Sequence, residues 1–262
     1  NISTILDAES LKVIFADENE YEASIKRMDH NTGYAVLAIS KDTMKSGTLS
    51  MAKAVCLGTS GGSSLVGVSV IAIGRPMGTD GSMCYGMITS VSGNVELPDS
   101  SYKYMTTDIY GSSSASGILI NLRGQVLGMI DMTYNAPDMK NIISAIGISD
   151  LKKVMESLSN DKDIAYFGVY GVDVTGEANE EMQVPYGAYI TEIDMDSPAM
   201  TAGIQSGDVI VMIDETEITN YQDLVKTLFF YEPEDEVKIT FMRQGPDGYT
   251  EMETDAVLGI KK

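Results

Sequence analysis

The first 145 residues alternate short apolar runs with turn-forming clusters. Leu11-Lys12-Val13-Ile14-Phe15, Ala35-Val36-Leu37-Ala38-Ile39 and residues 68–73, 86–91 and 118–121 are short runs rich in apolar and β-branched side chains, the pattern of strands. Gly61-Gly62-Ser63-Ser64 and Asn121-Leu122-Arg123-Gly124 punctuate them as turns. Many short strands with frequent glycine predict an antiparallel barrel or sandwich. A helical period first appears at residues 149–158, where Leu151, Val154, Met155 and Leu158 recur at three- and four-residue spacing behind Ser149 as N-cap. The polar stretch 159–163 follows and reads as a linker between units 1–158 and 164–262.

The second unit mixes both periods. Strands are expected at 167–174, 188–193, 208–213 and 237–243, with a short helix after the second strand and a longer one at 221–230. The short helix has its ends written out: Ser197 as N-cap, Pro198 at the first helical position and Gly203 as the stop. Thr219 and Asn220 are cap candidates for the longer helix, which must end before Pro233.

Charge narrows the function classes. The 262 residues carry 18 Lys+Arg against 38 Asp+Glu, a formal net charge of −20. Nucleic acid and anionic lipid both recruit basic faces, so both are excluded as partners. The acidity is uneven: residues 164–262 hold five basic and 20 acidic groups, which favours basic or non-acidic peptides as partners of that unit. No apolar run approaches the ~18 residues of a membrane span. The sequence opens on Asn1 and reads as a processed or trimmed product. Cys56 and Cys84 read as buried free thiols, with a single disulfide as the alternative. With one histidine, His30, and no cysteine cluster, a zinc site is excluded, and neither metal nor cofactor is expected. His30 reads as a solvated loop residue, the 17 methionines as core filler, and the acidic runs at 177–181 and 232–236 as solvated loop faces.

Ser197-Pro198-Ala199-Met200-Thr201-Ala202-Gly203-Ile204-Gln205-Ser206-Gly207-Asp208 resembles the signature of bacterial protease-associated PDZ domains. Upstream, Tyr166-Phe167-Gly168-Val169 resembles the PDZ loop that holds a peptide's terminal carboxylate on backbone N–H groups. The resemblance implies a peptide-binding groove formed by Tyr166, Phe167, Gly168 and Val169, with Leu224, Val225 and Leu228 of the long helix as wall candidates, one or two of them belonging to the core instead.

The first unit is similar to the trypsin-like domain of the HtrA/Deg proteases, on 70–78, Gly86-Met87-Ile88-Thr89-Ser90 and Asn121-Leu122-Arg123-Gly124-Gln125-Val126-Leu127-Gly128 in order. The implied fold is mainly β: a double β-barrel whose first barrel is N-terminally incomplete, followed by an α+β PDZ domain. The catalytic pattern is altered. The family's Gly-Asn-Ser-Gly-Gly-Pro stands here as Ser113-Ser114-Ala115-Ser116-Gly117-Ile118, which puts Ala115 at the nucleophile and Ser113 at an oxyanion-hole glycine. Thr32-Gly33-Tyr34-Ala35-Val36-Leu37 puts Gly33 at the aspartate, and counting back from Leu11 puts Ser3 at the histidine.

These substitutions predict an HtrA-like protease homologue without peptidase activity, binding peptides or protein C-termini in envelope quality control or signalling. The alternatives are an active serine endopeptidase, with Ala115 an artificial replacement or the register shifted, and a purely structural PDZ spacer. By resemblance, a membrane anchor and trimer-forming segment precede Asn1, giving an extracytoplasmic, anchored homo-oligomer.

Overall fold

The computed structural model describes residues 2, 5–6 and 8–261; Ser3 lies outside them. β1 (Leu11–Ile14), β2 (Glu20–Asp29) and β3 (Tyr34–Ala38) form an antiparallel three-stranded sheet, in register through Leu11↔Ala23 and Met28↔Ala35. The short α1 (Ser46–Met51) fastens to it through Thr48, whose Oγ1 lies 3.0 Å from the buried Tyr21 hydroxyl.

β4 (Ser69–Gly74), β5 (Ser82–Leu97), β6 (Ser100–Tyr110), β7 (Gly117–Asn121), β8 (Val126–Ile130) and β9 (Ile142–Gly147) form a closed barrel in the order β4-β5-β6-β9-β8-β7. Val70, Ala72, Ile88, Met105, Leu119 and Ile143 point inward and fill it. Where β4 meets β7 the backbones are so close that a Cβ on Gly117 would stand 2.0 Å from the Ile73 carbonyl oxygen, so only glycine fits.

α2 (Ile148–Ser159) buries Ile148, Leu151, Val154 and Leu158, an i, i+3, i+4 stripe that seals the barrel against β2 and β3. At roughly 1.5–3 kcal/mol for each fully buried aliphatic side chain, this stripe is the main tie between sheet and barrel. Its N-cap is Gly147, not Ser149. The Ser149 hydroxyl instead accepts from Ser60 N at 2.8 Å while Ser149 N donates to Ser60 Oγ at 2.7 Å, a reciprocal pair that fixes the helix to the 58–60 segment.

The second unit is a sheet ordered β10 (Val169–Asp173), β11 (Ala188–Ile193), β12 (Val209–Ile213), β14 (Glu236–Gly245), β15 (Gly248–Val257), with β13 (Thr216–Glu217) paired to β12. α3 (Gly176–Met182), α4 (Pro198–Thr201) and α5 (Tyr221–Leu228) complete it. Ser197 Oγ accepts from Met200 N at 3.1 Å and Asn220 Oδ1 from Asp223 N at 2.9 Å, so both expected caps form. Glu177, Glu180 and Glu181 lie on α3 behind a Thr175 cap rather than in a loop. Asp208, 1% exposed, is held by Arg243 Nε and Nη2, both at 2.7 Å, and by Gln205 N at 2.7 Å. Cys56 is exposed and Cys84 half-buried, and both are free thiols, against the expectation of two buried ones.

Candidate functional site

Residues 111–117 join β6 to β7 at one end of the barrel. Gly111 N donates to Asn141 O at 2.8 Å, Ser112 N to Pro76 O at 2.8 Å and Arg75 N to Ser116 O at 2.8 Å, so the loop is anchored at both ends. Between the anchors it closes on itself. Ser112 and Ser114 share a hydroxyl–hydroxyl bond of 3.0 Å, and Ala115 N donates to Ser112 O at 3.1 Å. In trypsin-like sites the N–H groups of the nucleophile and of the residue two before it bind the developing oxyanion. Here the first of those N–H groups is used inside the turn. Ser113 keeps a negative φ, so serine sits there without left-handed backbone strain. The Ala115 methyl is 6% exposed and packs into the barrel core with Ile109 and Ile143.

Gly33 closes the β2–β3 turn in the left-handed region (φ 71°), donating to Asp29 O at 2.9 Å and accepting from Ile2 N at 2.7 Å. The second bond ties the backbone at Ile2 to Gly33, which the sequence reading places at the aspartate position. The neighbouring carboxylate, Asp29, is occupied by its own turn: it accepts from Asn31 N, Thr32 N and Thr32 Oγ1 at 3.2, 3.0 and 2.6 Å. His30 is exposed on that turn.

The second candidate is the loop 166–169. Gly168 has φ 92°, and a Cβ there would lie 2.3 Å from Ser197 Cβ, so glycine is required. The N–H groups of Phe167, Gly168 and Val169 converge in a nest, a shape that binds a carboxylate. A carboxylate is there. Asp99, at the tip of the β5–β6 hairpin, accepts from Phe167 N at 2.7 Å, Gly168 N at 2.8 and 3.0 Å and Val169 N at 3.0 Å. Its own N–H donates to Val169 O at 2.8 Å. Asp99 is 8% exposed; burial pushes its carboxyl up to about 6, against the pull of the three N–H groups and the Lys261 charge.

Of the expected groove residues, Phe167, Val169 and Leu224 are fully buried in the core and Leu228 nearly so, while Val225 packs at its edge. Val225 and Leu228 also line a cavity of about 40 Å³ at the junction of the two units, which Asp99, Asn31, Tyr166 and Lys261 complete. Tyr166 donates its hydroxyl to Asp194, which Lys261 also contacts, and Lys261 stands 5.1 Å over the Tyr166 ring. Burial and the Asp194 carboxylate drive the Tyr166 phenol far above its ordinary value, so it stays a donor. Among the described residues no group of acidic, histidine or cysteine side chains is arranged to hold a metal.

Sequence alone does not single out Asp99. Leu97-Pro98-Asp99-Ser100 reads as turn chemistry, since proline and aspartate both suit a hairpin tip. The one further signal is the left-handed backbone such a tip imposes, and it appears only in three dimensions as φ 55°.

Comparison with known proteins matches these two units. Residues 1–129 match the trypsin-like peptidase domain and residues 166–254 the PDZ domain. A probable periplasmic serine endoprotease, DegP-like, from Halomonas elongata is 27% identical over 252 residues, covering 94% of this chain and 51% of that protein. Serine protease Do-like HtrA from Bacillus subtilis is 29% identical over 268 residues, covering 94% and 58%. The protein thus spans about half to three fifths of the length of these curated relatives. The solved structure of the HtrA-type protease AlgW with a decapeptide superposes with a TM-score of 0.68 over all of this chain and 78% of that one, at 24% identity, a likeness of fold. A trypsin-like barrel followed by a PDZ sheet, in one order and over nearly the whole length, establishes that this protein belongs to the HtrA/Deg family.

Proposed function

We propose that this protein is a protease-fold binding protein: an HtrA homologue without peptidase activity whose PDZ unit takes the free C-termini of other polypeptides. One observation supports the first half above all others, the Ala115 N–H bonded within the 112–115 turn. Three conditions of serine-protease chemistry then fail together. The residue at 115 offers a methyl group where a hydroxyl is needed. The N–H that would stabilise the oxyanion is engaged elsewhere, and such a donor contributes roughly 3 kcal/mol to acyl transfer. Gly33 offers no carboxylate to orient a base. The nest at 166–169 supports the second half: three N–H groups aimed at one point, beside the outer edge of β10, suit a carboxylate followed by an added strand.

The names of relatives such as the Halomonas elongata protein suggest an extracytoplasmic setting, and we place this protein there, in envelope quality control or signalling. The balance of five basic against 20 acidic groups in residues 164–262 favours basic or neutral ligands. Assembly into a homo-oligomer and anchoring ahead of Asn1 belong to the same reading. Two assays test it. Casein and fluorogenic peptides should show no turnover; turnover abolished by Ser114→Ala or Ser116→Ala overturns the inactive assignment. An array of heptapeptides with free carboxyl termini should give saturable binding that amidation removes. Binding indifferent to amidation overturns the C-terminal reading.

A further inference from the structure

We propose that Asp99 is an intramolecular ligand of the PDZ nest, so that an external C-terminus reaches the nest only after the hairpin tip has withdrawn. This rests on the peptide-binding reading above and adds its regulation. The capacity of the nest is the first argument. Phe167, Gly168 and Val169 offer three N–H groups, and the two Asp99 oxygens take all of them: Oδ1 from Gly168 and Val169, Oδ2 from Phe167 and Gly168. A second carboxylate has neither donors nor room.

The backbone repeats the imitation. Asp99 N donates to Val169 O at 2.8 Å, the first rung that an antiparallel strand added to β10 makes. Side chain and backbone together copy the last residue of a bound peptide, with the Asp99 carboxylate standing in for the terminal one. The tip is also braced from both units. Asn31 Nδ2, on the β2–β3 turn, donates to Pro98 O at 2.7 Å, and Gln222 Nε2, on α5, reaches Ser101 O at 3.4 Å. Nothing in hairpin folding requires a buried carboxylate at this position, and an unpaired one is costly to bury. Its partners lie 68 to 70 residues away in sequence, all in the nest.

Because the hairpin belongs to the barrel and the nest to the PDZ unit, the contact also clamps one unit on the other. An external ligand binds only the released fraction, which weakens its apparent affinity by the reciprocal of that fraction. Withdrawal therefore frees the barrel hairpin at the moment a peptide arrives, and the coupling runs equally in reverse.

The test uses the whole protein and the variants Asp99→Ala and Asp99→Asn, the second a near-isosteric control for misfolding of the first. Hydrogen exchange is followed at the Phe167, Gly168 and Val169 amides. Release should raise their exchange at least tenfold in both variants, while Ile190 and Ile239 in the PDZ core stay protected. Unchanged exchange at the nest overturns docking. Heptapeptides with free carboxyl termini are then titrated against wild type and variants. Binding at least tenfold tighter to the variants supports competition. Equal binding overturns competition and leaves the peptide-binding reading intact. Binding to neither protein overturns the peptide-binding reading and competition with it, whereas the exchange result still reports on the clamp.

Discussion

Placing a hydroxyl at position 115 is the sharpest test of the proposed inactivity. On the proposed reading, Ala115→Ser should not create a protease. In an intact triad enzyme, loss of the serine or of the histidine alone costs about as much as loss of all three members, roughly 2 × 10⁶ in kcat. That corresponds to about 8–9 kcal/mol of barrier. A hydroxyl at 115 recovers none of it on the proposed reading, in which Ser3 stands in place of the histidine and Gly33 in place of the aspartate. The turn adds a further obstacle. Ala115 N is 3.1 Å from Ser112 O, and opening that bond to aim the N–H at an oxyanion sacrifices about 1 kcal/mol of net hydrogen bonding. Until it opens, the hole lacks one donor, worth roughly another 3 kcal/mol.

The variant is assayed with casein, a fluorogenic peptide series and a fluorophosphonate probe, after circular dichroism has shown that it folds. Neither turnover above blank nor labelling is expected. Two controls run beside it: wild type, which has no hydroxyl at that position, and a denatured sample of the variant. Labelling that requires the folded variant would refute the reasoning, since it demands both an activated hydroxyl and a working oxyanion hole.

Three further outcomes follow from particular contacts. Arg243→Met leaves Asp208 buried with only Gln205 N against it, and should destabilise the PDZ unit by about 3 kcal/mol, read as a lowered urea midpoint; a change under about 1 kcal/mol would show that the pair is not structural. Gly168→Ala places a methyl 2.3 Å from Ser197 Cβ at φ 92°, so the nest must open and exchange at Phe167 and Val169 should rise; retained protection would refute the requirement for glycine. The Asp99 carboxyl should titrate near 6 by carbon-13 NMR, against an ordinary value of 3.8. A carboxyl whose pKa is raised in the docked state binds more protons there, so its contribution to docking is fully present below about 3.8 and is lost as pH rises through about 6. Asp99→Asn should abolish that dependence, and a midpoint near the ordinary value would contradict burial as the dominant influence.

What sequence makes legible are features set by neighbouring residues. Ser197, Pro198 and Gly203 bound α4 because a cap, a fixed φ and a left-handed stop are all local requirements. Asn220 caps α5 for the same reason. Two of the strands that sequence conceals owe their polarity to solvent on one face. β2 reads Glu-Tyr-Glu-Ala-Ser-Ile-Lys-Arg-Met-Asp, and β15 is mostly exposed along its length. Neither contains an apolar run, yet each is held by its partner strand. α3 is hidden likewise, since its acidic surface is solvated whether it is helix or loop.

The same distinction separates the two candidate sites. The register expected for residues 113–118 rests on Gly117, which is locked by a backbone approach that tolerates no Cβ. The nest follows too, since Gly168 is demanded by Ser197. What no local pattern supplies is the meeting of nest and hairpin, a contact between residues 68 to 70 apart that depends on α2 and the 159–163 segment setting one unit on the other. Arg27 helps set that angle, bridging Asp161 at 2.8 Å and Asp163 at 3.2 Å. These bridges are exposed and individually weak, worth no more than about 1 kcal/mol each. Apolar packing of Ile164 and Phe229 against Tyr102, Val154 and Leu158 adds to them, while the contact at the hairpin tip itself is polar and open to competition. The arrangement seen here, with a polar tip in a polar nest, is the one from which a C-terminal carboxylate can take over bond for bond.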